Sequence, residues 1–496
     1  MNLSTARATG RAIEIAMKKV VGSGKRVIVF SLLSESVFLA LVSYVLAVAL
    51  VFIVLDLTTF NQLINKNLRP DFFSNRLLLF GSLGLAVGVG ILSGLYSAFY
   101  LPSMPTLAAL KGAFRNSKAS HSFRRFLITA QFAISIFVVV CTLFMSEQVN
   151  YMRNKDLGFN KENILVLAIN DTLVKKQVPA IKNEMLRNPN ILSATTVHAV
   201  MGMNIGTGVM LGESDTGMRQ QGGMGALSVG EDFLKTMDIT LLSGRDFQRG
   251  EKIDLEGVYI ANESAVRAMG WGDDALGKKV SFFHGQNPGK VIGVVKDFNS
   301  SSLHQPAEPM FILKANWFNG YLQLRVSGKD LPQTIEYVRE KWTTFDPNHP
   351  FEYFFLDQRF NEQYKADETQ NKLLSVLSFI CIFISLLGLI GLSAFTATQR
   401  TKEIGVRKVL GANISDIILL LSKESLLLVV VSSVLIIPLS WWVVNLWLEN
   451  FAYRMELNYF LYGAVTILAL GFVFLTVLFQ SLKTARSNPV DSLKYE

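Results

Sequence analysis

Long apolar stretches without a charged residue recur along this chain and dominate its hydrophobic pattern. A helix needs about 20 consecutive, mostly apolar residues to cross the hydrocarbon core of a bilayer. The composition agrees with such helices, because 50% of the residues are hydrophobic and only 18% are charged, against roughly a quarter charged in soluble domains. The pattern predicts a polytopic α-helical membrane protein with six spans, at residues 36–55, 77–101, 126–146, 373–398, 425–448 and 457–482.

The polar segment between the third and fourth spans, residues 147–371, has the pattern of a folded domain. Apolar residues alternate with polar ones where strands are expected and follow a helical period elsewhere. We expect one extracytoplasmic α+β domain of two subdomains, the second inserted at roughly residues 205–315. The first subdomain would combine strands at 164–169, 191–200, 321–326 and 351–356 with helices at 174–186 and 332–344.

Basic residues are concentrated on one side of the predicted spans. Six spans place both chain ends on the same side, together with residues 1–26, 102–125 and 483–496. The linker 102–125 carries basic residues and no acidic one, whereas the loop 56–76 on the opposite side is nearly balanced. Positive charge near span ends marks the cytoplasmic face, so both termini are expected in the cytoplasm. The net charge of +9 then follows from topology and attraction to membrane lipid, without nucleic acid as a partner.

An internal repeat relates the chain start to the segment after the fourth span. Residues 8–36 align without a gap with residues 397–425, and twelve of the 29 aligned positions are identical. Each copy has the pattern of a short amphipathic helix that ends at a glycine, Gly22 or Gly411. Glu35 and Glu424 follow at the start of the next spans, at a depth where a carboxylate can reach the interface or a basic partner.

Two interpretations of these short helices are open at this point. Each helix could lie in the membrane interface with its basic residues toward lipid phosphates. Alternatively, each could be a docking element for another protein. The first interpretation needs only amphipathicity and positive charge. It does not explain why the same Glu, Lys and Gly occur at matching positions in both copies.

The second copy resembles a known motif. Thr398–Ala412 closely resembles the coupling segment of MacB/FtsX-like ABC transporter permeases. Val291–Phe298, Leu242–Phe247 and Asn262–Val266 resemble parts of the periplasmic core domain of the same family. The resemblance extends over essentially the whole chain, and it favours the docking interpretation.

The resemblance implies a mechanical role. Permeases of this family pair with a separate cytoplasmic ATPase that dimerises on binding ATP, and their helices carry the motion to the periplasmic domain in the bacterial inner membrane. It also implies a second permease chain or a homodimer, and a periplasmic adaptor, as partners. The ATPase-coupling residues would be Glu14, Ile15, Lys18, Lys19 and Gly22 in the first copy, and Glu403, Ile404, Arg407, Lys408 and Gly411 in the second.

The chain departs from the two-half pattern of the family. Residues 126–482 match one complete half: a span, the periplasmic domain at 147–371, and three spans within 372–482 that include the coupling helix 399–412. The part before it holds a coupling helix within 1–26 and two spans within 27–101, an incomplete first half. The incomplete first half would be explained by a split gene, a misassigned start or a truncated remnant.

Two function classes fit these features. One is the permease subunit of an ABC-type export or efflux system for antimicrobial peptides, drugs or lipoproteins. The other is a signal-transmitting scaffold that regulates an envelope enzyme or sensor without transport. A truncated remnant would have neither function.

Catalytic and cofactor-binding motifs give no support for an enzyme. Gly272–Lys279 nearly matches a phosphate-binding loop, but Lys279 replaces the required hydroxyl, and we expect a turn before a strand. The histidines lack zinc-ligand spacing, and Cys141 and Cys381 lie in apolar runs. We therefore expect no catalysis, no metal and no cofactor.

Two glycine-rich patterns allow more than one interpretation. Residues 201–224 combine five methionines with seven glycines, which favours a mobile loop or an adaptable contact surface over a Cu(I) site. The second span has two small-xxx-small spacings, Gly84 with Gly88 and Gly90 with Gly94. Such spacings permit close helix packing, within the chain or across a dimer.

Overall fold

The computed structural model of the chain describes residues 12–64, 67–69, 74–100, 102, 118–203, 205–214, 217–248, 257–282, 286–314, 320–399, 403–404, 406–407 and 410–485. The chain divides into two compact units. The membrane unit comprises Met1–Ser146, Glu368–Trp447 and Glu456–Glu496. The α+β unit comprises Glu147–Asp367 together with Leu448–Met455, the segment that precedes the last span.

The bounds of the elements are as follows. The helices are α1 (Ala12–Val20), α2 (Lys25–Leu57), α3 (Phe60–Leu63), α4 (Arg76–Tyr100), α5 (Lys118–Asn154), α6 (Thr172–Met185), α7 (Phe233–Met237), α8 (Glu263–Met269), α9 (Leu331–Phe345), α10 (Leu356–Asn361), α11 (Lys365–Gln399), α12 (Ile414–Leu448) and α13 (Phe460–Ala485). The strands are β1 (Ile164–Ala168), β2 (Ile191–Val197), β3 (Thr207–Ser214), β4 (Gly217–Val229), β5 (Leu241–Gly244), β6 (Gly257–Asn262), β7 (Lys279–Phe282), β8 (Gln286–Val295), β9 (Met310–Lys314), β10 (Tyr321–Val326) and β11 (Tyr353–Phe355).

Six helices of the described chain are long and apolar enough to cross a membrane: α2, α4, α5, α11, α12 and α13. They confirm the six spans predicted from the sequence. Most of the helices begin before the charge-free stretch that predicted them, since α5 starts at Lys118 and α11 at Lys365. Charged residues thus occupy the helix ends, where a long side chain can reach the interface.

Helices α2 and α4 form a closely packed pair. A Cβ atom on Gly90 would lie 2.9 Å from the Cα atom of Val37, and one on Gly94 would lie 2.7 Å from the Oγ atom of Ser36. Two glycines therefore allow backbone contact that a larger residue would prevent. Among the described residues, none lies within 4 Å of a Cβ atom on Gly84 or Gly88. The second glycine pair thus packs against α2, whereas the first meets no described residue.

Helices α5 and α11 are joined by hydroxyl groups. The Oγ atoms of Ser135 and Ser385 lie 2.7 Å apart, and Thr142 Oγ1 lies 2.9 Å from Ser378 Oγ. On each helix the two contacts are seven residues apart, about two helical turns. The order of the contacts is opposite along the two helices, so the helices run antiparallel. Each pair gives two hydroxyl groups a hydrogen-bond partner, which the hydrocarbon core of the membrane could not supply.

The first subdomain of the α+β unit is a four-stranded antiparallel sheet in the order β11–β1–β10–β2. The two β-α-β segments predicted from the sequence are present, but they interleave, so that β10 lies between β1 and β2. This is the split β-α-β arrangement. Helices α6 and α9 cover one face, and their core includes Val178, Val338 and Trp342.

The second subdomain is a closed barrel. Its strands follow the order β4–β3–β7–β8–β6–β9, and β9 pairs in parallel with β4 to close the ring, while β5 adds to β8. The barrel core contains Tyr259, Trp271 and Phe311. The fold therefore consists of six candidate spans and an α+β domain of two subdomains, as the sequence predicts.

The segment rich in methionine and glycine does not form the expected mobile loop. Residues 207–214 and 217–229 are the strands β3 and β4, and Met210 and Met224 are fully buried in the barrel core. The prediction of a loop was wrong because it weighed the number of glycines and ignored the apolar residues that face inward between them. Met218, at the tip of this hairpin, is exposed.

Candidate functional site

The first copy of the repeat forms helix α1, here called the first repeat helix. Glu14 and Lys18 are four residues apart, and their side chains form an ion pair of 2.8 Å along the helix surface. The helix ends through a hydrogen bond from the Ser23 amide to the Lys18 carbonyl, 2.9 Å. Gly22 closes this turn at a φ of +96°, a conformation that costs residues with a Cβ atom roughly 1–2 kcal/mol.

The second copy has the same local structure. Residues 403, 404, 406 and 407 are helical and define the second repeat helix. Glu403 and Arg407 form an ion pair of 2.7 Å with the same four-residue spacing. The Ala412 amide bonds the Arg407 carbonyl at 2.9 Å, and Gly411 has a φ of +87°. Lys408 lies outside the described residues.

Each repeat helix buries an isoleucine. Ile15 and Ile404, at equivalent positions, are both 4% exposed. These two proposed coupling residues are therefore not available for contact with a partner, and burial suits them to anchoring the helix to its own unit.

The opposite side of each repeat helix is an exposed apolar arc. In the first copy it consists of Met17, Val20 and Val21, and in the second of Val406 and Leu410. The ion-paired side chains of Glu14 and Lys18 are about half exposed, while Lys19 is partly buried. An apolar arc beside charged residues is suited to burial against a protein or in the membrane interface.

Glu424, at the start of the apolar stretch of α12, does reach a basic partner. Its Oε1 atom lies 2.7 Å from Nε of Arg125 on α5. Two turns further into the span, Ser432 donates a hydrogen bond of 2.9 Å to the Thr129 carbonyl, also on α5. An ion pair and a hydrogen bond thus join α5 to α12 within the membrane unit.

The three motifs of the α+β unit that resemble the family have structural roles, because their side chains hydrogen-bond neighbouring backbone and side-chain groups. Asn262 accepts from the Ala265 amide to cap α8 and also accepts from the Met310 amide of β9, both at 2.9 Å. Asp297 accepts from the amide and the hydroxyl of Ser264, at 2.7 and 2.8 Å. In the third motif, burial raises the pKa of Asp246, partly offset by the bond that its carboxylate accepts from the Phe247 amide.

A further joint ties the segment Leu448–Met455 into the α+β unit. The fully buried Gln148 donates to the Tyr453 carbonyl and accepts from the Met455 amide, each at 2.9 Å. The Ala452 amide also bonds the His304 carbonyl at 3.1 Å. The one signal of this joint in the sequence is a glutamine two residues after the third apolar stretch.

His304 completes this joint with its side chain. Its Nδ1 atom lies 2.6 Å from Ser302 Oγ and its Nε2 atom 3.5 Å from Asp367 Oδ2. Ser302 and His304 are neighbours in one turn, and the imidazole packs 4.7 Å from the Phe451 ring. In the part of the chain that the structure describes, no group of three or more His, Cys, Asp or Glu could hold a metal ion.

Two family models match complementary parts of the chain. The FtsX-like permease C-terminal model matches residues 1–106 and 375–489. The MacB-like periplasmic core domain model matches residues 126–340. The repeat helices fall in the first match, and both subdomains of the α+β unit contribute to the second.

The curated relatives are macrolide export ATP-binding/permease proteins. MacB 2 of Aeromonas hydrophila is 24% identical over 287 residues, which cover 54% of this chain and 43% of the relative. MacB of Salmonella typhimurium is 25% identical over 287 residues, covering 55% and 43%. The chain matches less than half the length of these relatives.

Solved structures with similarity to this chain are extramembrane domains. The periplasmic region of MacB from Actinobacillus actinomycetemcomitans is 16% identical, with a TM-score of 0.31, and the match covers 42% of this chain and 94% of that one. The extracellular domain of the transporter YknZ from Gram-positive bacteria is 12% identical, with a TM-score of 0.26, covering 38% and 97%.

The sequence matches account for both kinds of unit, the helices of a permease and a domain of the periplasmic type. The chain belongs to the MacB/FtsX-like family of ABC transporter permeases.

Proposed function

We propose that this chain is the permease subunit of an ABC-type export system and that its two repeat helices dock on a separate cytoplasmic ATPase. The observation that carries the proposal is the duplication of one surface. Both repeat helices have an internal ion pair, a glycine-closed end and an exposed apolar arc. A dimeric ATPase offers two equivalent sites, and two equivalent helices are what it would bind.

The electrostatics of the surface support a protein partner. An exposed ion pair four residues apart contributes only about 0.3–0.5 kcal/mol to a helix. The pair therefore matters little for folding, yet it occurs at the same positions in both copies. Charges placed beside an apolar arc fix the register and orientation of a docked partner more than they add affinity.

The proposed orientation places the repeat helices in the cytoplasm and the α+β unit in the periplasm. It rests on the basic segments at 1–26 and 102–125, since positive charge near span ends marks the cytoplasmic side. With this orientation, the repeat helices lie on the side where ATP is available.

Motion of the ATPase would reach the α+β unit mechanically. Helix α5 runs without a break from Lys118 to Asn154, and α11 runs from Lys365 to Gln399. Gln148 and His304 hold the segment Leu448–Met455 within the α+β unit. Movement of the spans would thus act on a domain to which several chain segments are tied. The cargo would be a peptide, drug or lipoprotein handled on the outer side.

Purification of the tagged chain from its native membranes tests this function. We expect an ATPase with Walker motifs to accompany the chain in mild detergent. The variant Glu403→Lys/Arg407→Glu keeps an ion pair within the helix but reverses its direction, so the helix remains folded while its surface charge pattern changes. The matched variant in the first copy is Glu14→Lys/Lys18→Glu.

The amount of ATPase that copurifies with the variant carrying both swaps should fall at least about tenfold, while the abundance of the chain stays unchanged. The same exchange of two charges at Glu336 and Arg339 on α9, an exposed pair in the α+β unit, serves as the control and should retain the ATPase. Full recovery of the ATPase with both repeat helices altered would contradict the proposed docking.

A further inference from the structure

A cleft with a volume of about 680 Å³ lies in the α+β unit, between its two subdomains. The first subdomain contributes one side of α6 and Thr196 of β2, and the second contributes residues 230–232, which follow β4, and Lys314 at the end of β9. The Gly230 amide bonds the Thr196 carbonyl at 2.7 Å. The volume is in the range of roughly 300–1,000 Å³ that is typical of ligand-binding sites.

Basic residues outnumber acidic ones in this cleft. Its charged lining residues are Lys175, Lys176, Lys182, Lys314, Glu231 and Asp232. Lys314 is buried, and its Nζ atom lies 3.2 Å from Glu231 Oε1. The Nζ atom of Lys182 lies 3.9 Å from Asp232 Oδ2. Each acidic residue thus has a lysine partner within the lining, and two positive charges remain in excess. We call this site the basic cleft.

Lys175 and Lys176 supply the excess charge. Both are exposed near the start of α6, and among the described residues neither forms an ion pair. Lysine has three N–H donors on a flexible stem, so it can pair with a carboxylate that approaches from solvent. An anion that binds these two lysines does not have to break the ion pairs of Lys182 and Lys314.

The basic cleft is elongated along α6. Lys175 and Leu186 both line it, and they are eleven positions apart in the sequence, roughly 16 Å along a helix. An extended peptide of about five residues spans this length, whereas a single phosphate or carboxylate would fill only part of it. Pro179 and Leu186 add apolar surface beside the lysines, against which the aliphatic parts of a peptide can pack.

We propose that the basic cleft binds an extended peptide segment rich in Asp or Glu. Two carboxylates of the segment pair with Lys175 and Lys176, and the remainder lies along α6 against Pro179 and Leu186. The inference goes beyond the proposed function, because the basic cleft lies in the α+β unit and its occupancy requires no ATPase.

Binding of labelled peptides to the full chain in a neutral detergent, without ATPase, tests the proposal. The probes are fluorescein-labelled pentaglutamate and pentaglutamine, and fluorescence anisotropy gives the Kd of each. We expect pentaglutamate to bind, and pentaglutamine, which has the same length without the charge, to bind at least about tenfold more weakly. Added salt should weaken the binding of pentaglutamate, because it screens exposed charges.

Charge reversal of the two excess lysines is the central variant. Lys175→Glu/Lys176→Glu should raise the Kd for pentaglutamate at least about tenfold, and Lys175→Gln/Lys176→Gln should give an intermediate Kd. The matched control is Lys279→Glu/Lys329→Glu, at two exposed lysines of the α+β unit outside the basic cleft. It changes the net charge of the chain by the same amount and should leave the Kd unchanged. All four positions are exposed, so the Tm of each variant should stay unchanged.

Cross-linking locates the bound peptide. A photoreactive group replaces the central side chain of pentaglutamate, and mass spectrometry identifies the adducts. We expect adducts within residues 172–186 or 230–232, which line the basic cleft. Adducts confined to another basic segment, such as residues 12–26, would overturn the inference.

Three further results would overturn it: an equal Kd for the two peptides, an equal loss of binding in the control variant, or displacement of pentaglutamate by an equal concentration of inorganic phosphate. The last result would show a site for any small anion. The proposed function fails separately. Copurification of the ATPase without binding of pentaglutamate would refute the peptide site and leave the coupling role intact; binding of pentaglutamate by a chain that recovers no ATPase would show the reverse.

Discussion

The two repeat helices and their spans have the same local structure in different surroundings. Both copies have an ion pair with four-residue spacing and an end closed by a glycine with positive φ. The span α12 is covered by α5, whereas the equivalent face of α2 is exposed. The sequence thus determines the helix itself, whereas the neighbouring helices determine which of its faces is buried. Four sets of variants test the two sides of this comparison.

The largest expected effect concerns the apolar arcs, which the two copies share. Val21→Asp and Leu410→Asp each place a charge where an apolar side chain would be buried against the ATPase. Loss of one buried side chain costs about 1.5–3 kcal/mol, roughly tenfold or more in affinity. We expect a similar weakening from each single variant and about 100-fold from both, measured as the Kd of the copurified ATPase for the purified chain.

The control for the arcs is Leu173→Asp, at an exposed leucine of the α+β unit. It should leave the affinity unchanged. An effect of Val21→Asp without an effect of Leu410→Asp would show that only one copy docks, and the equivalence of the two helices would fail.

The next effect concerns the contact that α2 and α4, in the first copy, make through glycines. Gly94→Leu forces a side chain into the space of Ser36, and overpacking costs about 1–3 kcal/mol. We expect a lower Tm of the purified chain in detergent. Gly84→Leu, on the same helix with open space around it, should leave Tm unchanged; equal shifts would show that α2 and α4 do not pack as described.

A smaller and equal effect is expected at the two glycines that end the repeat helices. Gly22→Ala and Gly411→Ala place a Cβ atom at positive φ in open space, at a cost of roughly 1 kcal/mol. Hydrogen exchange of the last helical turn should become about fivefold faster in each variant. Exchange that accelerates in one copy alone would indicate that the ends of the two helices differ.

The smallest effect distinguishes the two serines of the spans. Ser432→Ala removes a hydrogen bond to α5, and such bonds contribute on average about 0.6 kcal/mol in membrane proteins. Ser43→Ala should have no effect on the chain purified alone. Equal effects of Ser432→Ala and Ser43→Ala on the Tm of the purified chain would show that Ser432 does not join α12 to α5.

The features that depend on local sequence patterns could be predicted from the sequence. All six spans were found because a charge-free stretch of about 20 residues has few alternatives. The glycine at each repeat-helix end was found because few other residues tolerate the required φ. The exposed arcs also followed from helical periodicity, since Met17 and Val406 face outward.

Long-range pairing could not be predicted in the same way. The barrel closes through β4 and β9, which are about 80 residues apart in sequence, and no local pattern specifies that contact. The role of Gln148 was missed for a related reason. Its side chain bonds Tyr453 and Met455, which are distant in the sequence, so its residue type alone does not show what it contacts.

The distance between the two repeat helices tests the central claim most directly. Spin labels at Ser23→Cys and Ala412→Cys, equivalent positions directly after the closing glycines and outside the apolar arcs, with Cys141 and Cys381 replaced by serine, would report this distance in the copurified complex. If the chain transmits motion of an ATPase, a non-hydrolysable ATP analogue should shift the distance distribution by several ångströms toward shorter values, and removal of the ATPase should abolish the shift. The same distribution with and without the nucleotide, while the ATPase remains bound, would contradict mechanical coupling.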